Sequence, residues 1–136
     1  MSEAQAVRPL GLDEVRSWLG NDADGFDGRQ VGFAHAVFVD AVSGAPTWLV
    51  VRWKQRRLGA THVVVPATDC AAAGGRVWVA HGHDAIRSAP VVDPGRPLLR
   101  EHELTICDHY GIAEAVGRAA EVAGRGEGEI TSQPAR

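Results

Sequence analysis

The chain has 136 residues, which reads as one domain of ordinary size with a short tail. Its 45% hydrophobic and 23% charged content excludes wholesale disorder, and a formal charge of −3 argues against a protein whose main work is neutralising phosphates. Met1 to Arg8 lacks the apolar stretch of a signal peptide, and no window reaches the ~20 apolar residues of a membrane span, so a soluble cytoplasmic protein is expected. Cys70 and Cys107 form no C-x-x-C pair and read as two buried thiols.

Leu12, Val15 and Leu19 share one helical face, with Asp13 and Glu14 in the first turn and Gly20 as a stop, which predicts a short amphipathic helix or turn. Asn21 to Gly28 is dense in Asp and Gly and reads as a hairpin turn. Asp22, Asp24 and Asp27 suggest a calcium loop, but Phe33 stands where the closing glutamate belongs. From Arg29 to Asp40 a strand is expected, with Val31, Phe33, His35, Val37 and Val39 facing inward. His35 there is a core or bend residue, and Gly32 marks a bulge. Ser43 to Pro46 then turns the chain.

Two apolar, β-branched runs follow, Trp48 to Trp53 and His62 to Val65, joined by a basic connection. The first is apolar on both faces for part of its length and reads as central and buried, while Pro66 ends the second. Ala67 to Gly75 reads as a connection with at most one helical turn, Arg76 to Ala80 as a further strand, and Asp84 to Pro90 as a last edge segment. Leu99 to Tyr110 has helical spacing ending at Gly111. Ile112 to Ala123 carries only a thin apolar stripe, and Gly124 to Arg136 has too little apolar surface to order itself. The expected organisation is an arm over 1–11, a domain over 12–112, and a weak helix with a disordered tail over 113–136. The expected class is mainly β: a small, closed or partly open antiparallel barrel of about six strands with short N-terminal and C-terminal helices.

Gly28-Arg29-Gln30-Val31-Gly32 leading to Val39-Asp40, then Gly44-Ala45-Pro46-Thr47-Trp48, then His62-Val63-Val64-Val65-Pro66, resembles the PRC-barrel family, with the match carried from about Asn21 to Pro90. The flanks Trp18-Leu19-Gly20 and Ile86 to Pro90 look like those of small stand-alone members in high-GC Gram-positive bacteria. The resemblance implies a six-stranded docking module without chemistry of its own, often self-associating as a homodimer. It implies neither a catalytic residue nor a cofactor.

Arg52, Lys54, Arg56 and Arg57 surround Trp53 and are the expected partner-binding group, the ingredients of an anionic contact. A solvated turn that blunts strand pairing is the plainer reading of the same residues. An acidic protein suits the overall charge better than RNA, although an RNA- or ribosome-associated factor using loop 52–57 is the alternative. His81, His83 and Asp84 are weak candidates for a metal, with His102, Cys107 and His109 on the later helix, but no complete tetrahedral set is visible. Metal-dependent hydrolysis is therefore the least favoured reading, and no nucleophile elbow, phosphate loop or dinucleotide fingerprint is present.

Overall fold

The structure, a computed structural model, describes residues 10–55, 59–112 and 119–122. Along them run α1 (Leu12–Arg16), β1 (Asp22–Gly25), β2 (Gln30–Asp40), β3 (Pro46–Gln55), β4 (Gly59–Pro66), β5 (Cys70–Ala73), β6 (Arg76–Val79), α2 (His83–Arg87), α3 (Arg100–Tyr110) and β7 (Ala119–Val122). A single 3-10 turn, Ala67–Asp69, separates β4 from β5.

The strands lie in the order β4-β3-β2-β1-β6-β5, and β7 pairs with the end of β2 that β1 leaves free. β4 and β5 are consecutive in the chain yet stand at opposite edges. Four residue steps from Pro66 to Cys70 can span at most roughly 14 Å, so the sheet curls until its two edges approach at one corner. There the Cys70 thiol donates to the Pro66 carbonyl oxygen at 3.4 Å. Among the described residues no ladder joins β4 to β5, so hydrogen bonds do not close the sheet. Crossing that corner delivers the β5–β6 hairpin to the far side of β1 with β6 parallel to it, which corrects the expectation of a wholly antiparallel sheet.

β2 departs from simple alternation. Its register shifts opposite Ala23 and Asp24, and again between Ala34 and Ala36, so Val31 and His35 are the extra residues of two bulges. Val31, Ala34, Val37 and Val39 therefore point to the interior, whereas Ala36 and Phe38 pack on the other face. Phe33 and His35, expected inside, instead lie on the outer face: Phe33 stands opposite Arg52, and the His35 ring meets Phe33 and His62. Gly32 is required at the bend because a Cβ there would collide with the Arg52 carbonyl oxygen.

Both faces of the central strands are covered. Leu49, Val51 and Trp53 of β3 join Val63, Val65, Val77 and Val79 inside, under Val15 and Trp18 from the α1 region and Ile86 of α2. Outside, Trp48, Val50 and Val64 pack with Leu98 and with Ile106 and Cys107 of α3. This double burial is why β3 reads apolar on both faces. The Tyr110 hydroxyl fixes the end of α3 to the sheet by donating to the Val64 carbonyl at 2.6 Å, and Gly111 closes the helix in the left-handed conformation.

Four further segments differ from expectation. Asp22–Gly25 is a strand rather than part of the turn, because Ala23 is buried and Arg76 pairs with Asp22 and Asp24 on the other side. Cys70–Ala73 is a strand despite its alanines, since Gly74 and Gly75 both take positive φ and make the tight hairpin to β6. His83–Arg87 is a helical turn, not an edge strand, and it buries Ile86. Ala119–Val122 pairs with β2 as a strand instead of continuing a helix. Residues 1–9 of the expected arm, residues 113–118 and 123 of the expected weak helix, and the tail from Gly124 lie outside the described residues. No helix among the described residues is long and apolar enough to cross a membrane.

Candidate functional site

Among the described residues α3 packs on the outer face of β2–β3–β4 over Val50 and Val64, and beyond them Arg52 is partly exposed and Lys54 exposed. Arg52 pairs across strands with Phe33 on one side and His62 on the other, and Lys54 lies two residues further along the same face of β3. The Arg52 guanidinium carbon stands 5.6 Å from the Phe33 ring centroid, a cation–π contact that holds the side chain flat on the sheet. The bulge at His35 swings its imidazole over β3 toward β4, where the His35 and His62 ring centroids are 5.1 Å apart.

Three other arginines among the described residues have carboxylate partners. Arg76 reaches Asp24 at 3.0 Å, Arg96 reaches Asp93 at 3.3 Å, and Arg29 lies 3.6 Å from Asp84. Among the described residues Arg52 and Lys54 have no carboxylate within ion-pair distance. Burial lowers the His62 pKa below its ordinary value, and the neighbouring His35 and Arg52 lower it further, with Asp93 acting weakly in the other direction. The cluster is thus a positive site whose own charges repel.

The remaining members of the expected contact group separate. Trp53 is 6% exposed and belongs to the interior, with the Arg87 guanidinium carbon 4.5 Å from its ring centroid, so it offers no stacking surface to a partner. The alternation that turns Arg52 and Lys54 outward turns Trp53 inward. Arg56 and Arg57 lie outside the described residues.

The histidines weighed for a metal have different partners. His81 Nε2 lies 2.8 Å from Asp69 Oδ2 and its ring stacks near Tyr110, whereas His83 Nδ1 lies 2.9 Å from Asp84 Oδ1. The Asp84 carboxyl is held below its ordinary pKa by that His83 hydrogen bond and by Arg29. His109 Nε2 lies 2.7 Å from the Ala85 carbonyl oxygen, and Cys107 is buried in the outer core. Among the described residues no three metal-ligating side chains converge.

Two clefts adjoin these groups. One of about 460 Å³ lies between the 91–99 segment and the start of α3, lined by Val91, Arg96, Leu99 and His102. The other, about 550 Å³, lies between Phe26 and Trp78 with Asp69 and Cys70 at its base. The His81–Asp69 pair beside Cys70 has the residue types of a thiol nucleophile, and nothing in the sequence announced it, since the pair spans twelve positions. The Cys70 thiol, however, is buried and its pKa is pushed far up by that burial, so it remains a poor nucleophile.

No family model matches the chain, and no curated protein matches it.

Proposed function

We propose that this chain is a non-enzymatic protein-interaction module of the PRC-barrel type, which docks an acidic partner on the outer face of β2–β4. The observation that carries this reading is the uncompensated pair Arg52 and Lys54, set on a rigid central strand beside Phe33 and His62 while the other sheet arginine, Arg76, is tied to aspartates. Desolvating such charges against a partner is favourable only when anionic groups replace the lost water. The near approach of β4 and β5 at Pro66 and Cys70 supports the barrel reading. Two buried thiols outside any disulfide fit a reducing compartment such as the cytoplasm. Self-association as a homodimer is part of the proposal and is read by sedimentation of the pure chain.

RNA fits less well, because the aromatic that base stacking would use, Trp53, is buried. Amide shift mapping with a peptide of alternating threonine and glutamate tests the reading. Perturbations should cluster at Phe33, Arg52, Lys54 and His62. Perturbations confined to the cleft of Phe26 and Trp78, or none at all, would contradict it.

A further inference from the structure

The open end of the outer face has three features that define its occupant. Among the described residues it is formed by side chains of adjacent strands, not by a cradle of backbone N–H groups of the kind that grips a single phosphate. Its cations repeat along the strand: Arg52 and Lys54, two residues apart, are separated by roughly 7 Å, the same spacing as alternate side chains on any extended peptide. Beside them stand two imidazoles in ring contact, His35 and His62.

Resting on the docking reading above, we propose that this face takes an extended acidic segment of a protein partner, with carboxylates at alternate positions, and that its grip tightens when His62 takes up a proton.

The charged groups around His62 decide the direction. His35 comes from β2 and Arg52 from β3, and both oppose a proton on His62. Asp93, on the segment whose Val92 N–H donates to the His62 carbonyl, favours it weakly, because its carboxylate is already engaged by Arg96 and by the Gly95 N–H. In the free protein the imidazole is therefore biased toward neutral. A carboxylate laid across Arg52 and His62 cancels the repulsion and favours the imidazolium. Binding then takes up a proton, so affinity rises as pH falls through the histidine range. Glutamate side chains, with ordinary pKa values of about 4.3, stay ionised across that window.

The test uses the full chain and a fluorescein-labelled heptapeptide of alternating threonine and glutamate, read by anisotropy at about pH 8 and about pH 5.5 at low salt. One unit of pKa change on binding corresponds to about a tenfold tightening, which is the expected gain. His62→Gln should bind with nearly the same affinity at both pH values, and Arg52→Gln should bind more weakly at both. Equal wild-type affinity at the two pH values, or full pH dependence in His62→Gln, overturns the proton coupling and leaves the docking reading standing. No binding to the wild type at either pH overturns both. Tighter binding of an RNA oligonucleotide than of the peptide, or pH-dependent self-association without peptide binding, replaces the acidic segment as occupant. Should His62→Gln fold poorly, the wild-type His62 titration midpoint must move up when peptide is added; a midpoint that stays put sinks the coupling.

Discussion

The indole nitrogen of Trp48 on β3 donates to a carboxylate oxygen of Glu103 on α3 across 2.8 Å, with Trp48 at 2% exposure and Glu103 at 1%. A carboxylate so deep is tolerated only when donors meet it, and this bond joins the outer helix to the central strand. Trp48→Phe keeps an aromatic ring there but removes the indole donor to the buried carboxylate. Chemical denaturation should show a loss of roughly 1–3 kcal/mol. A loss within about 0.5 kcal/mol would mean the bond does not hold α3 in place.

Gly32→Ala tests the bend in β2. A methyl group there meets the Arg52 carbonyl oxygen and the Trp53 Cβ, backbone and core rather than a movable side-chain tip. The expected cost is about 2 kcal/mol or more, seen as a lowered denaturation midpoint. A neutral result would remove the close approach between β2 and β3 on which the placement of His35 depends.

His62 should titrate below the ordinary histidine value of about 6.5 in the free protein, because burial, His35 and Arg52 all disfavour its charged form. Since the folded pKa is the lower one, the unfolded chain binds the proton first. Stability from this group is present above the unfolded pKa and declines as pH falls from about 7 toward the folded value, by a small amount because the ring is only partly buried. Nuclear magnetic resonance titration checks it. Arg52→Gln should raise the midpoint, and a midpoint at or above the ordinary value in the wild type would refute the repulsive cluster.

Cys70 and Cys107 are buried and form no disulfide, and burial pushes the Cys70 thiol pKa far up. Both thiols should react slowly with an aromatic disulfide reagent in the native protein and rapidly in denaturant. Fast native labelling of Cys70 would reopen the cleft between Phe26 and Trp78 as a site of thiol chemistry.

The central strands are legible because their chemistry is local. Trp48 to Trp53 and His62 to Val65 are long β-branched runs, and Pro66 and Gly111 stop their elements for backbone reasons that need no partner. What escapes such reading depends on distant residues. Asp22–Gly25 looks like a turn until Arg76 arrives across the sheet to pair with its aspartates, and Ile86 prescribes a helical turn only because an interior is waiting for it. Phe33 is misplaced by strict alternation, since two bulges in one strand reset its face. Within the contact group, strand periodicity alone separates Arg52 and Lys54 from Trp53; the ring contact of His35 with His62 has no signature at all, because it crosses an intervening strand.

Isothermal titration of the alternating threonine–glutamate peptide into the wild type and into Arg52→Glu/Lys54→Glu bears most directly on the docking face. Saturable binding to the wild type that weakens with salt, and its loss in the double variant at an unchanged melting temperature, is the predicted result. Equal binding by the two proteins, or none by the wild type at low salt, would contradict it.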